Sequence, residues 1–344
     1  MSSSPNRREV LVALTAATVT VPALTSAGAQ TGLPKLAVGR PLVERAEAFQ
    51  ASLDEGQRVA ASFPWGREQW RAWNYFGVGG YIKPGLRLEQ MSEPQKAAAW
   101  ALFEEVLSPA GLEKARNVML LQDILAEAGN GRGLRSSERF SVSIFGAPAA
   151  TGTFGVRLEG HHLSLSFVVR DGDLVSVTPA AFAALPNRVK GGRMAGLVTL
   201  KGEEQIARRL QNDLAPKLKT RAQVSERHLF NILSSAGSER SNTSKVGLAA
   251  SDMIESQREL LWQLVETYAV EPYKGALSDA QRSRISQGDR AAVHFAWYGP
   301  NEPERAFGYR VIGDTFVIEL GSIDPEAQHL HPVYHDLANT LGAV

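Results

Sequence analysis

Apolar residues recur at helical spacing in several stretches of the chain. Leu260, Leu261, Leu264, Val265 and Tyr268 fall on one face of a helix, at positions i, i+1, i+4, i+5 and i+8. The pattern therefore predicts a helix across these residues. The same spacing predicts two further helices, one marked by Trp100, Phe103 and Leu107 and one by Ile206, Leu210 and Leu214.

A two-residue period replaces the helical spacing from His161 onward. Leu163, Leu165 and Phe167 alternate with polar residues, which is typical of a strand with one buried face. The turn-forming pair Asp171-Gly172 follows, so we predict a β-hairpin at this point. The apolar residues 316–318 predict a matching strand in the second half of the chain.

Two distant parts of the chain share a sequence pattern. Residues 91–95 (Met-Ser-Glu-Pro-Gln) are echoed by residues 253–257 (Met-Ile-Glu-Ser-Gln), and each segment is followed at the same spacing by Trp, Leu and Glu. Further on, residues 154–160 (Phe-Gly-Val-Arg-Leu-Glu-Gly) are echoed by residues 307–313 (Phe-Gly-Tyr-Arg-Val-Ile-Gly). We interpret these echoes as an old duplication, with chance similarity between helices as the alternative.

The duplication determines the predicted fold. Each half contains a helix, a loop and a strand pair, over about residues 90–180 and 250–344, with a loop-rich linker at about residues 234–245. Two repeats are too few for a solenoid. We therefore predict an α+β fold, in which pseudo-symmetric helix/β-hairpin halves form one compact domain with a mixed or antiparallel sheet.

The first 29 residues have the pattern of a targeting segment. Arg7-Arg8 precedes an apolar stretch that runs to Leu24, and the small-residue site Ala27-Gly28-Ala29 precedes Gln30. Paired arginines at this place indicate a twin-arginine signal peptide, with an ordinary secretory signal as the alternative. We thus predict a signal peptide over residues 1–29 and a mature domain over residues 30–344. The mature protein would be periplasmic or secreted, with the twin-arginine translocase as its partner during export.

Charge and cysteine content exclude several classes of function. The chain has 37 basic and 36 acidic residues, and removal of residues 1–29 leaves equal numbers of each. A balanced surface argues against nucleic acid and against an anionic membrane as partners. After the signal peptide, no stretch is both apolar enough and long enough to span a membrane. We therefore predict no membrane insertion of the mature chain. The chain contains no cysteine, so a metal would have to be bound by His, Asp or Glu.

Histidines are concentrated at two places in the sequence. His161 and His162 follow Glu159 at the start of the hairpin strand, and His329 and His331 form a His-x-His pair. On an extended segment, His-x-His directs both imidazoles to one side, which suits a metal ion. Adjacent histidines share a metal only where the strand begins or bulges. Structural, hydrogen-bonded histidines are the alternative, above all for His161.

An acidic residue in the second half completes the predicted metal site. Alignment of Gly160 with Gly313 places Ser166 opposite Glu319, on the strand face equivalent to that of His162. A carboxylate in an apolar strand has to be paired or bound to a metal. Together with the histidines it would form an open site of nitrogen and oxygen ligands with room for water or substrate.

Several of these segments resemble the DUF3500 family of uncharacterised bacterial proteins. The resemblance covers about residues 53–342 and includes the specific element 159–165 (Glu-Gly-His-His-Leu-Ser-Leu). The other segments that carry it are residues 108–111, 144–148, 295–297, 309–310, 316–319 and 329–331. The family pattern has an acidic strand, a polar segment, His-x-His and Trp-Arg-Asp. This chain departs from it at residues 320–322, Gln328 and residues 334–335, which implies a divergent substrate or an additional ligand at His335.

We therefore expect an exported metal-dependent enzyme that acts on a small molecule. The predicted ligands of a divalent ion are His161, His162, Glu319, His329 and His331. Glu159 and Asp336 are the predicted catalytic residues, with Asp336 orienting an imidazole. Hydrolysis is the default reaction of such a site. An iron, copper or manganese oxidoreductase and a non-catalytic metal- or ligand-binding protein are the alternatives.

Overall fold

Helices account for much of the region that the structure, a computed structural model, describes. The described residues are 39–66, 68–76, 83–131 and 134–342, so the predicted signal peptide lies outside them. The helices are α1 (Gly39–Ser52), α2 (Glu55–Ala61), α3 (Glu68–Arg71), α4 (Glu93–Glu104), α5 (Pro109–Glu127), α6 (Lys201–Asp213), α7 (Pro216–Ala222), α8 (Glu255–Ala269) and α9 (Gly275–Ile285). Helices α4, α6 and α8 confirm the three predicted from hydrophobic spacing.

The strands form a single sheet. They are β1 (Ser62–Phe63), β2 (Leu86–Arg87), β3 (Ser141–Phe145), β4 (Thr153–Gly160), β5 (Leu163–Arg170), β6 (Asp173–Ser176), β7 (Ala180–Phe182), β8 (Gln223–Ser225), β9 (Leu248–Ala249), β10 (His294–Tyr298), β11 (Gly308–Ile312), β12 (Phe316–Ser322) and β13 (Leu330–Asp336). The predicted hairpin is present as β5 and β6, joined at Asp171 and Gly172, which both adopt positive φ. Strand β5 begins at Leu163, so His161 and His162 form a turn and not the predicted start of the strand.

The order of strands across the sheet is β1-β3-β4-β5-β7-β13-β12-β11-β10-β8. Its centre is the pairing of β7 with β13, through Ala180 and Tyr334. The pairs β1–β3 and β8–β10 are parallel, whereas the other pairs along this path are antiparallel. The fold is therefore α+β with a mixed sheet, as predicted.

Alternation along the strands gives the sheet two different faces. In β12, Ile318 and Leu320 belong to the large hydrophobic core that also contains residues of the long helices. Glu319, between them, points to the opposite face because successive strand residues alternate. A second, smaller core there includes Trp70, Trp73, Tyr75, Ile232 and Val333. The segments that cover this second face thus come from near residue 70 and residue 232.

The segment between β8 and β9, residues 226–247, contains neither helix nor strand, as the predicted loop at 234–245 requires. Part of it is buried against the sheet, since Ser234 is only 1% exposed. No helix in the described ranges combines the length and the apolarity that crossing a membrane requires.

Candidate metal centre

His162 lies in the two-residue turn between β4 and β5. Its backbone has a φ of 72°, in the left-handed region that favours glycine. Two hydrogen bonds hold the backbone there: its N–H donates to the Tyr75 carbonyl (2.8 Å), and its carbonyl accepts from the Ala183 N–H (2.7 Å). The side chain is 1% exposed. The turn therefore fixes a buried imidazole in an unfavourable backbone conformation.

His329 and His331 belong to the hairpin between β12 and β13. The carboxylate of Asp324 shapes its loop, because Oδ1 accepts from the backbone N–H groups of Gln328 (2.8 Å) and His329 (3.0 Å). His331 follows in β13, opposite Gly321 of β12. The two histidines of the His-x-His pair thus enter the site from the end of one hairpin.

The three imidazoles converge on one point. Nε2 of His329 lies 2.9 Å from Nε2 of His162 and 2.9 Å from Nε2 of His331. One ligand atom from each of the three residues lies within 4.8 Å of the others, and this is the group of potential metal ligands found among the described residues. Nitrogen ligands around a tetrahedral zinc ion, at 2.0–2.1 Å from the metal, are about 3.3 Å apart. The two 2.9 Å separations would therefore have to widen by about 0.4 Å to admit an ion.

Burial keeps these imidazoles neutral. It lowers the pKa of both His162 and His331 well below 6.5, and neighbouring histidines lower it further. Burial also lowers the pKa of His329, while the charge of Asp324 opposes this effect and that of Arg135 adds to it. Neutral imidazoles are the form that binds metal ions.

Asn231 determines which nitrogen of His331 faces the other two histidines. Its Oδ1 lies 3.1 Å from Nδ1 of His331 and accepts a hydrogen bond from the Tyr75 hydroxyl (3.0 Å). An amide oxygen only accepts, so Nδ1 of His331 carries the proton and Nε2 presents a lone pair. Gly321 lets this segment approach the sheet, since a Cβ there would lie 3.0 Å from Cα of Asn231.

The convergence leaves nitrogen lone pairs without partners. A proton on Nε2 of His329 points along one direction and can serve one of its two neighbours well. Nδ1 of His162, which carries the proton when Nε2 binds an ion, is buried and has no hydrogen-bond partner among the described residues, so an ion does not satisfy this atom. A cation at the centre would satisfy all three Nε2 atoms at once, which is the usual solution for clustered imidazoles.

His161, the fourth predicted histidine ligand, lies beside this group. Its ring packs on that of His162 with 3.7 Å between centroids. Nδ1 of His161 lies 2.5 Å from Nη1 of Arg135 and 2.7 Å from Oε1 of Gln122. Arg135 is always a donor, so Nδ1 of His161 accepts from it and its contact with the Gln122 oxygen joins two acceptors. The proton of the neutral ring is then on Nε2, so neither nitrogen of His161 offers a metal ion a free lone pair. Burial first, and then the charge of Arg135, lowers the pKa of His161 to about 3.

The structure does not bring Glu319 into the three-histidine group. Its Oε1 accepts from Nε of Arg310 (2.7 Å), and its Oε2 accepts from the N–H groups of Leu233 (2.8 Å) and Ser234 (2.9 Å) and from the Ser234 hydroxyl (2.7 Å). The carboxylate is fully buried. It therefore has the pairing that a buried charge requires, and it holds residues 233–234 on the sheet.

Asp336 and His335 lie at the far end of β13. Asp336 forms an ion pair with Arg284, with N–O distances of 3.2 and 3.3 Å, and accepts from Asn339. His335 is fully buried and its Nε2 donates to the Ser234 carbonyl (2.8 Å). An extended strand rises about 3.4 Å per residue, so Asp336 is about 17 Å along the strand from His331. Neither side chain joins the three histidines.

Glu159, the other predicted catalytic residue, is 1% exposed. Its Oε1 accepts from the Asn74 N–H (2.6 Å) and the Ser164 hydroxyl (3.0 Å), while Oε2 is buried with no partner among the described residues. Burial lowers the pKa of Lys83 to about 8, and the charge of Glu159 opposes this effect. The carboxylate thus lies beside the turn that carries His161 and His162 and stabilises its surroundings.

Four residues that surround the histidines carried no sequence pattern: Tyr75, Gln122, Arg135 and Asn231. Gln122 belongs to α5 and the other three to loops, so neither a motif nor periodicity linked them to the histidines. They meet the histidines only through the long-range packing of the fold.

Comparison with known proteins identifies a family. The model of a family described as "Protein of unknown function (DUF3500)" matches residues 37–342. No curated protein and no solved structure matches the chain. Residues 37–342 contain the whole three-histidine group and all of the described residues. The chain therefore belongs to the DUF3500 family.

Proposed function

We propose that this protein is an exported metal-dependent hydrolase, which holds a divalent ion with His162, His329 and His331 and acts on a small molecule. The observation that carries the proposal is the convergence of three Nε2 atoms, from the buried His162 and His331 and the partly buried His329, with that of His329 2.9 Å from each of the other two. Burial holds the imidazoles in their neutral form, and Asn231 directs one lone pair inward. These are the properties of a prepared nitrogen site for a metal.

The number of ligands favours catalysis over a purely structural ion. Structural zinc sites have four protein ligands, whereas catalytic ones have three and keep a position for water. Such an ion would lower the pKa of a bound water to about 7 and supply a nucleophile at neutral pH. His329 is only partly buried, which gives a small molecule access to the site.

The ligand set favours a metal that prefers nitrogen, and zinc is the one that we propose. Imidazole nitrogens suit zinc, copper, iron and nickel, while carboxylate-rich sites suit magnesium, calcium and manganese. Because no carboxylate belongs to the described ligand group, zinc hydrolysis is the proposed chemistry. Bound copper or iron would instead support the oxidoreductase alternative.

Export rests on the sequence of residues 1–29, which lie outside the described residues. Arg7-Arg8 and the site at Ala27-Gly28-Ala29 support it. The family match begins at residue 37, after the proposed cleavage site. Twin-arginine export carries folded proteins, so the ion would be loaded before translocation.

Metal analysis of the exported protein tests both parts of the proposal. The full gene would be expressed without a tag, and the protein purified from the cell envelope fraction and analysed by plasma mass spectrometry and N-terminal sequencing. We expect an N-terminus near Gln30 and about one zinc per chain. The variant His329→Ala/His331→Ala would lose the metal, and the control His294→Gln, in β10 outside the group, would keep it.

Absence of metal from the wild-type protein, even after reconstitution with zinc, would refute the metal site. An intact N-terminus in the cytoplasmic fraction would refute export.

A further inference from the structure

Arg135 is placed next to the histidine group in an unusual way. Its Nη1 donates to Oε1 of Gln122 (2.9 Å) and to Nδ1 of His161 (2.5 Å). The ring of His161 in turn packs on that of His162, 3.7 Å between centroids. The guanidinium is therefore separated from a proposed metal ligand by a single imidazole.

This partly buried guanidinium has no counter-charge within the described part of the chain. No carboxylate in the described part of the chain pairs with Arg135, and burial is what lowers its pKa. Its Nε is buried and has no hydrogen-bond partner among the described residues. A partly exposed arginine without a carboxylate partner is free to pair with an anion from outside the protein.

Asp324 and Glu159, whose charges act on His329 and on Lys83, have hydrogen-bond partners of their own. Asp324 accepts from two backbone N–H groups of the β12–β13 loop, and Glu159 accepts from Asn74 and Ser164. Lys83 adds a further cation on the same side, since its charge lowers the pKa of His161. A divalent ion bound by neutral imidazoles would add two positive charges to those of Arg135 and Lys83, against the two carboxylates of Asp324 and Glu159, so the region would have an excess of positive charge.

We propose that Arg135 binds an oxyanion group of the substrate, a carboxylate or a phosphate, beside the metal ion. The inference rests on the proposed function and names the chemical class of its substrate. An arginine fork recognises such groups through two parallel N–H···O bonds, and the contacts with Gln122 and His161 both use Nη1, which leaves other N–H groups of Arg135 without a partner in the described part of the chain.

Exposed apolar side chains indicate what the rest of the substrate is like. Phe76 is 47% exposed and its ring lies 6.3 Å from that of His331. Leu134, next to Arg135 in the chain, is 58% exposed. An apolar body attached to the oxyanion would bury this surface, so the substrate is inferred to be a small amphiphilic organic anion.

The test uses cobalt(II) as a spectroscopic substitute in the intact protein. The visible spectrum of the cobalt-loaded protein would be titrated with acetate, benzoate and inorganic phosphate. We expect saturable spectral changes and tighter binding of benzoate than of acetate. Arg135→Gln would raise the dissociation constant at least tenfold, and Arg135→Lys, which keeps the charge without the fork, would give an intermediate value. The control Arg139→Gln, whose arginine pairs with Glu89, would bind as the wild type does.

The outcomes separate this inference from the proposed function. Equal anion affinity in wild type and Arg135→Gln, with cobalt bound in both, would overturn the role of Arg135 and leave the metal site intact. Absence of any oxyanion effect on the cobalt-loaded wild type would overturn it as well. Failure of the wild type to bind cobalt or zinc would refute the metal site itself. Should Arg135→Gln not fold, the Lys variant supplies the comparison.

Discussion

At the scale of single residues, the proposed site depends on which ring nitrogen carries the proton. Asn231 Oδ1 accepts from Nδ1 of His331, and the hydroxyl of Tyr75 fixes the same oxygen. A histidine ligand whose second nitrogen is held in this way binds metal more tightly, because its ring is oriented and its tautomer is fixed. Asn231 is thus part of the site although it would not touch the ion.

Replacement of Asn231 tests this role. We expect Asn231→Ala to raise the dissociation constant for zinc by about 10–100-fold, the range for loss of a residue that orients a ligand. Competition with a chelating dye would measure it. Asn231→Asp keeps an acceptor and should remain near wild type. Asn242→Ala, which removes a side-chain bond to Leu233 in the same segment, is the control. A zinc affinity of Asn231→Ala within twofold of wild type would contradict the assignment.

The sequence identified the histidines but not the residues around them. His162, His329 and His331 were predictable because paired and alternating histidines are rare enough to stand out. Glu319 was correctly expected to need a partner, yet sequence alone could not distinguish a metal from Arg310, which is its neighbour across β11 and β12. Asn231 contacts His331 across 100 positions of chain, and single-sequence patterns carry no information at that range.

At the scale of elements, the turn between β4 and β5 has a strained backbone, and this strain supports a functional role. His162 adopts a φ of 72°, where residues other than glycine lose about 1–2 kcal/mol. Such outliers persist where the surrounding structure holds them, and they cluster at functional sites. The backbone bonds to Tyr75 and Ala183 are what hold this turn.

A pair of substitutions isolates the cost of this turn. Both His162→Gly and His162→Ala remove the imidazole, so both should abolish metal binding, and they differ by one methyl group. Because glycine tolerates positive φ, we expect the free energy of unfolding of the Gly variant to exceed that of the Ala variant by about 1 kcal/mol. Urea denaturation of the metal-free proteins would measure the difference. An Ala variant as stable as the Gly variant would show that the turn relaxes.

The order of elements explains how far sequence could predict the fold. Spacing located α4, α6 and α8, and alternation located β5, because these signals are local. The short strands β1, β2, β8 and β9, of two or three residues, have no periodicity to detect. From β7 outward the strands go back along the chain to β1, and from β13 outward they go back in the same way to β8. This order is what a duplication would produce, but the duplication stays a prediction.

At the scale of the whole molecule, the fold buries several histidines in their neutral form. Burial lowers the pKa values of His161, His162, His331 and His335 below 6.5. In the unfolded chain these residues would titrate near that value. The folded metal-free protein thus takes up fewer protons than the unfolded chain once the pH falls below 6.5.

This difference predicts that acid destabilises the metal-free protein. Above pH 6.5 both states are neutral at these histidines and their contribution is complete. As the pH falls below 6.5, each such histidine removes up to about 1.4 kcal/mol of stability per pH unit, until its folded pKa is reached, about 3 for His161. Urea midpoints measured at pH 7.5, 6.0 and 5.0 should therefore fall steadily.

The urea midpoint of the variant His329→Ala/His331→Ala should fall less steeply with pH, since this variant has fewer histidines that folding keeps neutral. Equal midpoints at pH 7.5 and 5.0 would mean that these histidines take up protons in the folded state, and the neutral cluster on which metal binding depends would not exist.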